Sequence, residues 1–281
     1  MRKLVLVLAL LLCFESSAFA TWSVIAIDRS NKRVVMAAAS CVDTTDDAMK
    51  TAIAVVVPGV GVAACQAAAD NTHQNQMLVF RELQKGTDPQ KIIEMLSADP
   101  QFQSRQFGIL DMQGRAAGHS GLTNSWETLF RHGQVPGTEI FYAIQGNTLR
   151  HGTVNAAVDA FLSAKGSLTD RVMTALEAAD KNGGDVRCSC PPPPADGKPA
   201  IPCDDKHAHV AFILMANPND TNGDSHNNGK YAMYLTVSQP VLGSGGDAGP
   251  NRTKVGESLN PVKTLRMRYD AWRKTMPADF K

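Results

Sequence analysis

The chain has 281 residues, 28 Lys and Arg against 27 Asp and Glu, and a formal net charge of +1. That balance leaves no basic stripe and no acidic tail, which argues against nucleic acid or an anionic membrane surface as a partner. With 43% hydrophobic residues, only 6% aromatics and many Ala, Val and Gly, the composition excludes a disordered or fibrous chain and suits a layered α/β or α+β core.

The first predicted element, residues 1–20, is a cleaved secretory signal peptide. Basic Arg2 and Lys3 precede an apolar run from Leu4 to Leu12, and small residues stand at Ala18 and Ala20. The run is too short for a membrane span, and Leu12 before Cys13 does not suit lipoprotein processing. Cleavage after Ala20 exposes Thr21 and leaves about 260 residues, enough for one large domain, 21–281. No later segment is long enough to cross a bilayer. The expected localisation is therefore secreted or periplasmic.

Trp22 to Asp28 and Arg33 to Ala39 read as strands around a Ser30-Asn31 turn, so the mature chain opens with a hairpin. Ile53 to Val57 and Val60 to Cys65 follow, split by Pro58-Gly59. Gln74 to Lys85 is a helix stopped by Gly86. Asp88-Pro89 opens another, with Asp88 as N-cap and Ile92, Ile93 and Leu96 on one face. Gln106 to Asp111 and Arg115 to His119 form a hairpin around Gln113-Gly114, and Ile140 to Ile144 is a strand. Val154 to Ala164 and Leu168 to Lys181 are helical, with Gly183-Gly184 as the stop. His207 to Met215 and Lys230 to Val237 resume the sheet, and Leu259 to Lys274 is a closing helix. Such segregated runs favour antiparallel sheets with helices outside over a doubly wound parallel fold. Polar stretches near 190–205, 217–229 and 243–256 read as surface insertions.

Five cysteines survive cleavage, and an oxidising compartment permits disulfides among them. Cys190 and Cys203 bracket a proline-rich loop, where a bridge is worth roughly 3 kcal/mol in the chain-entropy model. Cys41 and Cys65 are a second candidate pair that would tie the first hairpin to the next, although spacing alone leaves the pairing open.

An N-terminal threonine carries its own base, because the hydroxyl is the nucleophile and the α-amino group takes the proton, directly or through water. With an α-amino pKa near 7.7 to 8.0, roughly a tenth to a sixth of that amine is neutral at pH 7, against well under 0.1% of an ordinary lysine. Thr21 is thus the candidate nucleophile.

The opening Thr21-Trp22-Ser23-Val24-Ile25-Ala26-Ile27-Asp28 resembles the start of a bacterial family, domain-of-unknown-function family 1028, which similarity places in the N-terminal nucleophile (Ntn) hydrolase superfamily. The resemblance continues through Val34 to Ser40, Pro58 to Ala67, Arg105 to Asp111 with Gly114 to Ala117 and Ser120-Gly121, Tyr142 to Leu149, and Gly183-Gly184-Asp185. Members lacking a leader typically begin Met-Thr, so loss of the initiator Met exposes the same residue. The resemblance implies a four-layer αββα sandwich, two antiparallel sheets flanked by helices. It also implies a hydrolase acting on an amide or related acyl bond of a small molecule or peptide, with no cofactor and no metal. Beside Thr21, Asn147 is the candidate oxyanion donor and Asp185 the candidate orienter of the amine. Ser40, Gln66, Gln145 and Gly146 are candidate substrate-binding residues. The sequence departs from the family pattern after Asp185, where Val186-Arg187-Cys188-Ser189-Cys190 leads into the proline loop. It departs again at Val237-Ser238-Gln239-Pro240, where the family usually has an acidic ending.

Other motifs are weaker. His207-Ala208-His209 lacks a third metal ligand at fixed spacing. Asp220 to Ser225 alternates oxygen ligands like a calcium loop but lacks the later Gly and the twelfth-position Glu. Gly243 to Gly249 lacks the lysine of a phosphate loop. Two rivals to the hydrolase stand: a catalytically silent fold that binds cell-wall material or a protein partner, and a calcium-dependent scaffold.

Overall fold

In the computed structural model, residues 20–44, 46–68, 70–188, 205–239 and 251–276 are described. The leader apart from Ala20, the Cys190–Cys203 loop and the Gly243 to Gly249 stretch lie outside them.

Strands β1 (Thr21–Asp28) and β2 (Arg33–Ser40) form the expected hairpin, its turn held by the Asp28 carboxylate, which accepts from Ser30 N at 2.9 Å and Asn31 Nδ2 at 2.8 Å. Nearly every residue of β1 is buried, because the strand lies inside a sandwich with apolar neighbours on both faces. Trp22, Val24 and Ala26 pack outward on helices, while Ile25 and Ile27 face a second sheet. Each such fully buried large side chain is worth about 1.5–3 kcal/mol.

Chain order continues with α1 (Asp46–Ile53), β3 (Ala54–Val57), β4 (Gly61–Ala67), α2 (Gln74–Gln84), α3 (Pro89–Leu96), β5 (Arg105–Asp111) and β6 (Ala116–Ser120). There follow β7 (Leu129–Gln134), β8 (Ile140–Asn147), α4 (Thr153–Ser163), α5 (Leu168–Lys181), β9 (Val210–Ala216), β10 (Met233–Ser238) and α6 (Pro261–Thr275). The six-stranded sheet runs β10-β9-β2-β1-β8-β7 and the four-stranded sheet β3-β4-β5-β6, with every strand pair antiparallel. Helices α4, α5 and α6 share one core with the outer face of the large sheet, and α2 and α3 share another with the small sheet. Between the sheets lies a third core that includes Met36, Val56, Val62 and Leu110. The fold is an α+β sandwich. Helix starts obey local chemistry: Asp88 accepts from Gln90 N ahead of Pro89, Ser167 and Asp170 form a capping box, and Asn260 caps α6 ahead of Pro261.

Several expectations are corrected. Cys41 is bridged to Cys188, with Cα atoms 5.7 Å apart, and Cys65 is a buried free thiol, so the proposed Cys41–Cys65 tie does not form. Cys65 sits on the small sheet's outer face among Val79, Phe80 and Phe107, whereas Cys41 leaves the large sheet on its far side. Segment 217–229 lies largely at the surface but is anchored by two buried residues: Asn227 Nδ2 donates to the carbonyls of Lys50 and Ala54, and the His226 carbonyl accepts from Val56 N. This segment braces α1 against β3. Within it Asp220 Oδ2 accepts from Asn217 N and Ala232 N, so that carboxylate holds its own turn. His207 and His209 precede β9 and are not part of that strand; burial pushes the His209 imidazole down to about 4.

Two local predictions follow from packing. Gly184 has φ +44°, and a Cβ there would stand 2.8 Å from Trp22 Cη2 and 2.9 Å from His207 Cβ. Trp22 cannot retreat, since its indole donates to the Leu176 carbonyl. Gly184→Ala is expected to cost about 2–3 kcal/mol, read as a drop in thermal midpoint.

Asp180, buried near the end of α5, accepts from Asn260 Nδ2 at 2.8 Å, and burial pushes its carboxyl from the usual 3.8 up to about 7. The folded chain therefore holds an extra proton between those values, and stability contributed by this group declines as pH rises through that window. His209 has the opposite slope, because its depressed imidazole favours the fold as pH rises. Asp180→Asn should leave the protein more stable than wild type at pH 8, by at most about 4 kcal/mol, with the advantage shrinking towards pH 4. Urea denaturation at both pH values checks this.

Candidate active site

The register of β1 sets the centre of the site. Thr21 stands directly opposite Ser40 on one side and Asn147 on the other, at one end of the large sheet. Directly opposed residues have Cβ atoms about 5 Å apart, so three polar side chains form one row on the face towards the small sheet. The Thr21 hydroxyl donates to Ser40 Oγ at 3.2 Å. From the facing sheet Gln66 Nε2 donates to the Thr21 carbonyl at 2.9 Å and to Gln106 Oε1 at 2.9 Å, while its Oε1 accepts from Ser23 Oγ at 2.8 Å. Gln106 Nε2 donates to the Gly146 carbonyl at 3.0 Å. Buried amides therefore fix Thr21 from below.

Asn147 is the last residue of β8; the left-handed residue is its successor Thr148, φ 56°. Its Nδ2 lies 3.3 Å from Gln106 Oε1, and its buried Oδ1 has no partner among the described residues. Gln145 is one step deeper, with Nε2 on the Ala64 carbonyl. Gly146 faces the helices, where a Cβ would collide with the Leu149 side chain. Asp28 ends the strand that Thr21 begins.

Asp185 is fully buried. Its carboxylate accepts from Cys41 N at 3.1 Å and from Arg187 at N, Nε and Nη2, the last at 2.7 Å. Arg187 Nη2 in turn donates to the Ala20 carbonyl at 3.1 Å, and Ser40 Oγ donates to the same oxygen at 2.6 Å. The carbonyl immediately before Thr21 is thus gripped by two donors, one of them cationic. The Cys41–Cys188 bridge joins the residues that follow Ser40 and Arg187 in sequence, stapling both donors together.

In front of the Thr21 hydroxyl lies a cavity of about 190 Å³ between the sheet ends and α1. Thr21, Ser40 and Gln66 line it; Asn147, Gln145, Gly146 and Asp185 do not. A larger open cleft of about 400 Å³ lies on the α2–α3 side, lined by Asp70, Asn75, Asp99 and Arg105 among others. There the polar groups are already spent on one another: Asp99 Oδ2 accepts from both Asn75 and Arg105. The cavity beside Thr21 is the better place for chemistry. Among the described residues no group of three His, Cys, Asp or Glu is arranged to hold a metal ion, and no helix is long and apolar enough to cross a membrane.

A family model described as a family of unknown function, DUF1028, matches residues 21–190. The chain belongs to the DUF1028 family. Among solved structures it is similar to the crystal structure of the SPO2555 protein from Silicibacter pomeroyi, also assigned to DUF1028. The identity is 19% and the TM-score 0.59, covering 92% of this chain and 91% of that one. This likeness shows the shared fold. No curated protein matches.

The candidate site of this DUF1028 protein contains three residues that were not singled out in the sequence: Arg187, Gln106 and Ser23. Arg187 follows Asp185 by two positions, but only the 3₁₀ turn Val186–Cys188 folds its side chain back on that carboxylate. Gln106 is the one polar side chain on the inward face of β5, and Ser23 extends the polar end that Thr21 begins on the inward face of β1, the one signal available for them.

Proposed function

We propose that this DUF1028 protein is a secreted Ntn-type amidohydrolase whose nucleophile is Thr21, freed by cleavage after Ala20. On this reading the sandwich is the four-layer αββα arrangement, with the nucleophile at the open end between its two sheets. The observation that carries it is the grip on the Ala20 carbonyl. A substrate carbonyl carbon bonded to Thr21 Oγ1 falls close to where the Ala20 carbonyl carbon stood, since Thr21 N and Oγ1 are both near neighbours of the same Cα. Ser40 Oγ and Arg187 Nη2, which hold the Ala20 oxygen at 2.6 and 3.1 Å, then hold the developing oxyanion.

Chemistry follows from that placement. Thr21 Oγ1 attacks the carbonyl carbon while its proton passes to the α-amine. The carbon–nitrogen bond breaks and the leaving amine takes that proton. Water, deprotonated by the same α-amine, then cleaves the acyl ester and restores the hydroxyl. Asp185 positions Arg187, and Asn147, paired with Thr21 across the strands, carries a buried Oδ1 that accepts from no donor among the described residues and would take one from the freed amine.

The test is mass spectrometry of the N-terminal peptide from secreted protein before and after treatment with a β-lactone. A peptide beginning at Thr21 and acquiring the adduct on its hydroxyl supports the reading. A different start, or a free Thr21 inert to several electrophiles, transfers the case to a silent binding fold.

A further inference from the structure

We infer that the acyl group this site accepts is uncharged and apolar, about the size of a six-carbon chain or a phenyl ring. The inference rests on the amidohydrolase reading and adds the substrate class. The cavity of about 190 Å³ opens onto Thr21, Ser40 and Gln66, and its remaining walls are mainly Val42, Ala48, Met49, Ala52, Ile53 and Ala67. Among the described residues no charged side chain lines it; Thr44, the exposed Asn71 and the Cys65 thiol, which burial keeps protonated, are its other polar groups. A dry cavity of about 150 Å³ lined by aliphatic side chains holds benzene, which sets the scale here.

Rigidity makes the cavity selective. Met49 and Ile53 are buried members of the core between the sheets. α1 is itself tied down by Asn227 on the Lys50 carbonyl and by His226 Nε2, 2.9 Å from the Thr51 carbonyl. Ala67 is held at φ 74°, a left-handed conformation costly for alanine, at the point where the small sheet meets the cavity. A carboxylate or ammonium pushed to the buried end, against Met49 and Ile53, loses much of its hydration and meets no opposite charge among the described lining residues. The polar groups nearest the reacting carbonyl, Thr21, Ser40 and Gln66, are at one end. The substrate is thus oriented with its amide there and its apolar part towards Met49.

The experiment measures acylation of Thr21 in the mature protein by a series of 4-nitrophenyl esters, followed by nitrophenolate release and by mass of the N-terminal peptide. The acyl groups are acetyl, butyryl, hexanoyl, phenylacetyl, decanoyl and succinyl. Acylation rate should rise about fourfold per added methylene up to hexanoyl, level off or fall by decanoyl, and be at least about 100-fold lower for succinyl than for butyryl. Ala48→Lys, on the exposed edge of α1, should narrow that gap by favouring succinyl, and Met49→Ala should move the optimum to longer chains. Thr21 acylated at rates independent of acyl group, or fastest by succinyl, overturns the apolar assignment alone and leaves the nucleophile standing. Failure of every ester to acylate Thr21 overturns both.

Discussion

Replacing Thr21 by alanine is expected to abolish adduct formation on the N-terminal peptide and to lower esterase or amidase turnover by roughly 10⁴-fold or more, with the fold unchanged. The substitution removes the hydroxyl that donates to Ser40 Oγ at 3.2 Å, a long bond, and leaves the β1 ladder intact. Stability should fall by no more than about 1 kcal/mol. Thr21→Ser keeps the oxygen and should retain measurable acylation. The sharper test retains Thr21 and adds one residue before it in the mature chain. The amine is then an amide and cannot take a proton, and the added carbonyl occupies the space between Ser40 Oγ and Arg187 Nη2. Turnover should disappear although the hydroxyl is present. Unchanged turnover in the extended protein would sink the free-amine mechanism.

Most of the sandwich was readable because its strands are short apolar runs bounded by turn residues. The β1–β2 hairpin, the break at Pro58-Gly59, the Asp88-Pro89 helix start and the α4–α5 pair all fall within a few residues of the expected bounds. Neither α1 nor β7 is among the elements that periodicity predicts. α1 has eight residues and four apolar positions, Ala48, Met49, Ala52 and Ile53, too short a span for its period to stand out before the apolar run of β3. β7 is an edge strand, and its segment Arg131-His132-Gly133-Gln134 is largely exposed and lacks alternation. The missed helix matters more, because it forms the wall of the cavity that faces Thr21.

The candidate site was legible where its residues stand at strand ends. Ser40, Thr21 and Asn147 come together because antiparallel register aligns them, and Gln66 because the facing sheet ends at the same height. Arg187 was hidden for a different reason. Its reach to the Ala20 carbonyl depends on a turn held by a disulfide between residues 147 positions apart, and such a partnership has no local signature. Asp185, read as an orienter of the amine, contacts Cys41 and Arg187, so it joins the candidate site through that turn.

Removing the Cys41–Cys188 bridge should produce the largest stability loss of any change outside the cores. Closing 147 residues is worth about 5 kcal/mol in the chain-entropy model, and measured losses for native bridges run about 2–5 kcal/mol. The double variant Cys41→Ser, Cys188→Ser should therefore unfold at clearly lower urea concentration and lose roughly 5–15 °C in thermal midpoint. A second effect is separable from the first. Arg187 immediately precedes Cys188, and Asp185 also accepts from Cys41 N, so the bridge fixes the cation that reaches the carbonyl before Thr21. At a temperature where the variant is fully folded, acylation of Thr21 should still slow by about tenfold, since one misplaced oxyanion donor costs about that much or more. Cys65 does not confuse the measurement, because burial pushes its thiol up and keeps it protonated in the folded state. Equal loss of stability and unchanged acylation would reduce the bridge to a staple. Slowed acylation in a folded variant would make it part of the apparatus that holds Arg187 over the reacting carbonyl.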